Sequence, residues 1–381
     1  MASQTPGVFV EVARNGEELK RYVADWDALA QDALEPNPFF ESGALLAAIH
    51  YLGLPGPLCC VLVYRAATAR AGARLIAFAP FVRTAKGPRG IVSCYRTLTH
   101  LHCFLSTPLV HREHVDDALD ALLTWMDGAP DGVRTFGFYK IAGDGPLATT
   151  LYRRMEARRQ PHFTELSYER AFLRVGSDAQ GSLVSAIPTK KRKELARQRR
   201  RLEELGNVTL TDRVADPDAF GWMDRFLALE AKGWKGQSGN AFNRTSKERA
   251  YFLAFIEHFR ARGRAMFLDL RLEGREIAMK CNLVAASGGG SFAFKIAHDM
   301  DFARYSPGVL LELDNIRVLH EPARGIAWMD SCAKPDHPMI DHLWRERRRI
   351  VYLTCCGRGF VGWFLIALFR WRKLRQERAE G

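Results

Sequence analysis

Arg304, Ser306, Gly308 and Val309 lie in the run Arg304-Tyr305-Ser306-Pro307-Gly308-Val309, between a strand-like stretch and a helix-like one. Amides at a helix start lack carbonyl partners and sit at the positive end of the helix dipole, so this run with its arginine can hold a phosphate. It also fits an ordinary turn in which Ser306 caps the helix and Pro307 opens it. Pro307 brings no amide, which leaves fewer donors than a glycine-rich loop has. Three carboxylates are placed to move a proton. Asp299 follows the strand that carries Lys295, Asp330 ends strand 325–329, and Glu230 precedes Gly233-Trp234-Lys235. Each also has a plainer role open to it, Asp299 and Asp330 as loop caps and Glu230 as a helix-end partner of Lys235. Tyr305 is either a proton donor or a packing aromatic. Lys295, in the apolar run 292–297, needs a partner if it faces the core, where it would bind an anion or polarise a carbonyl; on the other face it meets water.

Metal and covalent chemistry are poorly provided for. His100, His102 and Cys103 have a spacing that one strand could present, but no second pair with structural-zinc spacing accompanies them, so no metal is expected. The eight cysteines show no CxxC pair, and they read as reduced thiols of a cytoplasmic protein; Cys281 and Cys332, in or beside strands, are expected to be buried and inert. Met1 to Asn15 lacks the basic and apolar runs of a secretory signal.

The elements that must position these residues are mixed. The 381 residues are 47% hydrophobic and 26% charged, which excludes disordered and collagen-like classes and, at about 150 residues per domain, allows two or three domains. Helical periodicity marks 19–29, 115–126 and 146–159, and β-rich runs mark 58–65, 74–82, 97–110, 133–139 and 163–175. The second half repeats the order. A basic helix 189–205, a strand 208–213, a helix 217–232 and a helix opened by the capping box Thr245 and Glu248 precede three strands, 265–272, 277–286 and 291–297. Turn signals at 273–275 and 287–290 make these three an antiparallel meander. A helix 308–320, a strand 325–329 and a final strand 349–354 follow.

Three strings carry a resemblance: Leu229-Glu230-Ala231-Lys232-Gly233-Trp234-Lys235-Gly236, Phe294-Lys295-Ile296-Ala297-His298-Asp299, and Phe302-Ala303-Arg304-Tyr305-Ser306-Pro307-Gly308-Val309-Leu310-Leu311. Together they resemble the GNAT-superfamily acetyltransferases linked to cellulose and exopolysaccharide biosynthesis, a family similar in turn to the FemABX-type transferases. The likeness runs from about Trp26 to Thr354, with weaker matches at Pro38-Phe39 and Ser106-Thr107-Pro108-Leu109. It implies an α/β fold of tandem GNAT-like domains, each a mixed, largely antiparallel sheet flanked by helices. The expected division is 1–175, 176–356 and a basic amphipathic helix over 357–381. It also implies an acyltransferase that takes acetyl-CoA or another acyl-CoA. Arg304, Ser306, Gly308 and Val309 would hold the cofactor, Trp234, Lys235 and Lys295 the acceptor, and one of Glu230, Asp299 and Asp330 would be the base, with Tyr305 protonating the thiolate. The acceptor would be an amine or hydroxyl of a sugar or lipid-linked glycan precursor.

Two segments bear on partners. Lys+Arg 55 against Asp+Glu 43 gives a net charge of +12, which suits anionic ligands. Lys190, Lys191, Arg192, Lys193, Arg197, Arg199, Arg200 and Arg201 crowd one helix, yet Leu195 and Leu202 give it an apolar seam and no aromatics interleave for base stacking. Its readings are a solvated or packing face, a site for an anionic substrate, or, in a FemABX-like transferase fed by aminoacyl-tRNA, a nucleic-acid contact. Phe360 to Arg378 sets aromatics beside cations, as an interfacial helix on an anionic inner-membrane face would, or as a helix covering the second domain's sheet. Its clean apolar run, 360–369, is half of the roughly 20 residues that span a bilayer. A non-catalytic scaffold at the membrane is the remaining alternative.

Overall fold

The structure, a computed structural model, describes residues 7–66, 72–86, 92–176, 187–213, 219–233 and 245–380. The chain forms two units: unit 1 is Met1–Ile49, Gly53–Glu169 and Arg348–Gly381, and unit 2 is His50–Leu52 with Arg170–Arg347. The sequence boundaries at 175 and 356 therefore differ from the units, because the chain after Arg347 returns to unit 1.

Unit 1 is built on strands β1 (Val8–Ala13), β2 (Leu58–Arg65), β3 (Arg74–Lys86), β4 (Val92–Thr97), the short β5 (Leu109–Val110), β6 (Thr135–Ala142) and β13 (Glu346–Cys356). They run in the order β1-β2-β3-β4-β6-β13, antiparallel except for the parallel join of β4 to β6, with β5 on β3. Helices α1 (Gly16–Lys20), α2 (Val23–Gln31), α3 (Ser42–Tyr51), α4 (Val115–Asp127) and α5 (Pro146–Ala157) accompany them. β1 falls where the sequence reading saw only a polar start, and the single strand expected over 97–110 is instead the end of β4, a loop and β5. Leu119, Leu122 and Met126, at helical spacing on α4, pack with Phe81, Phe136 and Phe138 and with Val351 and Leu353 of β13. Trp26 is fully buried, its ring 4.1 Å from that of Phe78 and its Nε1–H donating to Phe40 O at 2.8 Å.

Unit 2 carries the end of β7 (His162–Arg174), α6 (Thr189–Glu203), β8 (Val208–Arg213), α7 (Ala219–Lys232), α8 (Ser246–Arg260), β9 (Ala265–Leu272), β10 (Arg275–Val284), β11 (Gly289–His298), α9 (Pro307–Leu319) and β12 (Ile326–Asp330). Its strands run β7-β12-β11-β10-β9-β8, again antiparallel but for one parallel join, β11 to β12. Each unit is thus a mixed, largely antiparallel sheet flanked by helices, as expected. In each, the sixth strand comes from the chain's other half, β13 in unit 1 and the last residues of β7 in unit 2. Thr245 Oγ1 accepts Glu248 N–H at 3.1 Å, so the capping box opens α8, and Phe252, Phe255, Ile256 and Phe259 form its buried stripe. Rings stack from Trp222 through Phe226 and Phe252 to Phe294 of β11, which fixes α7 and α8 over the sheet. The last helix, α10 (Phe360–Glu380), belongs to unit 1. It covers Phe163 and Cys356 there, not the second domain's sheet.

Candidate functional site

The site is an opening in the sheet of unit 2. β11 pairs in parallel with β12 from Gly289↔Ile326 to Phe292↔Asp330, and there β12 ends while β11 runs on to His298. At the same point β11 bulges. Its register with β10 passes from Leu283↔Phe292 to Cys281↔Lys295, so Ala293 and Phe294 stand opposite Asn282 alone. A bulge breaks the ladder and re-aims backbone groups, here beside the gap that β12 leaves. Gly290 is required just before it, since a Cβ would lie 2.4 Å from the Trp328 ring.

Beyond β11 the chain turns through the 3-10 segment Met300–Tyr305 into α9. Ser306 is left-handed (φ 52°, ψ 50°), a conformation costly for a non-glycine residue, and its side chain makes no capping bond. Its carbonyl instead accepts Val309 N–H at 2.9 Å and Leu310 N–H at 3.0 Å. Pro307 has no amide, so Gly308 N–H is the helix-start donor that remains without a partner among the described residues. Arg304 is exposed, its guanidinium carbon 4.7 Å from the centroid of the Tyr305 ring, and forms no ion pair among the described residues. Tyr305 itself is buried in the apolar cluster of unit 2, and Val309 packs against that cluster.

His298 joins three elements. A Cβ on Gly308 would lie 3.3 Å from His298 Nδ1, and one on Gly233 would lie 3.7 Å from His298 O and 3.5 Å from Glu230 O. The end of α7 and the start of α9 therefore both approach His298 at the end of β11, the first at its carbonyl and the second at its ring. Glu230 is buried on the last turn of α7. Trp234 and Lys235 lie outside the described residues. Lys295 is half-buried, with its Nζ 5.9 Å from the Phe294 ring centroid.

Asp299 and Asp330 each hold a cation and a backbone amide. Asp299 Oδ1 accepts Asp301 N–H at 3.0 Å as a cap, and its Oδ2 pairs with Arg275. Asp330 is fully buried, with Oδ2 2.7 Å from the equally buried Arg170 and Oδ1 accepting Cys332 N–H at 2.9 Å. Sequence reasoning missed a second buried pair, Lys280 Nζ to Glu312 Oε2 at 2.8 Å. Asn315 Nδ2–H donates to Glu312 Oε1 and Asn282 Nδ2–H to Asn315 Oδ1, both at 2.8 Å, and this network ties α9 to β10. The signal was available: a lysine inside the apolar strand run 277–283, and a Glu and an Asn three apart on a helix. Around α6, Leu195 and Leu202 are buried as the seam requires, and Arg199 pairs with Asp314 of α9 at 2.8 Å. α6 packs against the 300–305 segment while Lys190, Lys193, Arg197, Arg200 and Arg201 stay exposed.

All eight cysteines are buried and none forms a disulfide. Burial pushes the Cys59 thiol up to about 11 and raises Cys60 and Cys281 as well, so these are poor nucleophiles. In unit 1 the ligand atoms of His111, Glu113 and His114 lie within 4.8 Å of one another. His111 Nδ1 there accepts Glu113 N–H at 3.2 Å, and Arg65 stands 3.5 Å from His114 Nδ1.

Residues 189–337 match the sequence profile of the Acetyltransferase (GNAT) domain, which gives unit 2 the acyltransferase class expected of it. No curated protein sequence matches the chain. Among solved structures it is similar to FemX at 9% identity and a TM-score of 0.55, over 87% of this chain and 95% of that one. It is similar to the C-terminal domain of a putative lysylphosphatidylglycerol synthetase from Agrobacterium fabrum at 14% identity and a TM-score of 0.52, over 89% and 92%. A conserved protein of unknown function from Bacteroides thetaiotaomicron follows at 10% identity and a TM-score of 0.51, over 88% and 97%. At these identities the likeness is one of fold, and the fold extends over both units.

Proposed function

We propose that unit 2 transfers an acyl group from acyl-CoA to an amine or hydroxyl, with a sugar or lipid-linked glycan precursor as the acceptor that the sequence resemblance favours. The observation that carries this reading is the gap where β12 ends beside β11, together with the Gly308 amide and Arg304, which have no partner or ion pair among the described residues. Gly308 N–H and Arg304 suit the diphosphate of CoA, with Ser306 and Val309 shaping the turn, and the bulged backbone of β11 suits the amides of the pantetheine arm. Glu230 is assigned the role of base for its place on the last turn of α7, beside Gly233 and the end of β11. It takes the proton of the acceptor as the acceptor attacks the thioester carbonyl, and the protonated carboxyl returns that proton to the departing thiolate. Lys295, Trp234 and Lys235 are assigned to the acceptor, and Tyr305 holds the Arg304 guanidinium against its ring.

Arg304→Glu tests the reading because this side chain is exposed and supports nothing in the core. Calorimetric titration of wild type with acetyl-CoA should give saturable binding, and the variant should bind about tenfold or more weakly as a charge-assisted phosphate contact turns repulsive. Absence of binding by wild type would overturn the acyl-CoA reading. The row of exposed cations on α6 beside the 300–305 segment favours a second reading, transfer from aminoacyl-tRNA. Binding of charged tRNA, lost when Lys193, Arg197 and Arg200 are changed to Glu, would establish it.

A further inference from the structure

Helix α10 is apolar on two faces. The inner one sets Ile366 and Phe369 against Phe163 and Cys356 of unit 1. On the opposite side Phe360, Phe364, Trp371 and Leu374 are 85%, 59%, 51% and 55% exposed. Steps of four, seven and three residues hold these four within about 40° of one line along a helix. Trp363 and Val361 flank the line, so six of the eleven large apolar side chains exposed among the described residues belong to this helix. Scattered exposed apolar residues are ordinary, but a concentration of this kind marks a surface that meets something. Arg372, Arg375 and Arg378 lie in the same end of the helix, while Arg370 donates to His162 O at 2.7 Å and Lys373 pairs with Glu377 at 3.7 Å. Arg375 lies over the Trp371 ring, 4.3 Å from its centroid, where the two groups form a single amphipathic surface.

We propose that α10 lies in the plane of an anionic bilayer surface, its outer stripe in the boundary between headgroups and acyl chains and its cations on the lipid phosphates. Among the described residues no helix is long and apolar enough to cross a membrane, so the contact is one of lying on the surface. Charge selects the bilayer over a second copy of the chain. Two α10 helices face to face would bring Arg372, Arg375 and Arg378 of one against those of the other, whereas an anionic leaflet neutralises them, and the net charge of +12 adds attraction at longer range. The inference is independent of the transferase reading, since no residue of unit 2 enters it.

Phe364→Glu with Trp371→Glu tests it on the full chain, because neither side chain reaches the core. Wild type should co-sediment with vesicles of equal parts phosphatidylglycerol and phosphatidylcholine, and at least about tenfold less with phosphatidylcholine alone. The double variant, with an unchanged circular dichroism spectrum and denaturation midpoint, should lose binding to the anionic vesicles. Failure of wild type to bind them, or equal binding by the variant, would overturn the proposal. So would light scattering that shows a wild-type dimer, split by the double variant, in a protein that ignores vesicles.

Discussion

Asp330 and Glu230 are both buried acids of unit 2, and the proposed function gives them different roles. Asp330 faces a buried guanidinium and a backbone amide. Asp330→Asn removes the charge that faces the buried Arg170, and breaking such a pair costs about 3–5 kcal/mol. Chemical denaturation should show that loss; a change below about 1 kcal/mol would return Asp330 to candidacy as the base. Glu230→Gln should behave in the opposite way. It keeps acetyl-CoA affinity while turnover, read as thiol release, falls by about 100-fold or more. The sequence pointed to both acids through their places at element ends. It did not separate them, because the partner that decides the matter, Arg170, lies 160 residues away.

At the scale of the element, α9 is held on β10 by Lys280, Glu312, Asn315 and Asn282, so the turn that precedes it is fixed from behind. Lys280→Met alone strands a buried carboxylate and should destabilise by about 3–5 kcal/mol. Lys280→Met with Glu312→Leu removes both charges and should recover most of that loss, as a double-mutant cycle by denaturation would reveal. If the single variant proves as stable as wild type, the network does not anchor the helix. β11, the turn and α9 were legible in advance, since alternation, a proline at the first helical position and amphipathic spacing are local signals. The network was not. An apolar run with one lysine reads the same whether the lysine points to water or to a glutamate on a helix above it. The bulge at Ala293 and Phe294 was equally hidden, because it is a property of register between two strands and not of either strand.

The whole molecule departs from two domains in series. The order of strands was read nearly complete, yet β13 was assigned to the second domain because alternation identifies a strand without naming its neighbour. A fragment of residues 176–356 would lack Arg170 and carry β13 away from β6, and it should aggregate. A fragment of 168–347 contains every strand that unit 2 uses and should be soluble, with a cooperative thermal transition by circular dichroism. Insolubility of the fragment 168–347 alongside soluble 176–356 would contradict the strand exchange. That exchange also sets a clock on synthesis. Thr135 of β6 lies opposite Cys356, and Val351 and Leu353 fill the core of unit 1. The nascent amino-terminal unit must therefore wait, its sheet edge open, until more than half of the chain behind it has left the ribosome. Domains that fold as they emerge do so in order, whereas this one finishes last although it begins first. Pairing β13 with β6 closes a long loop, a step that long-range strand pairing makes slow, so the open edge of β6 is where a chaperone or a misplaced strand would compete during translation.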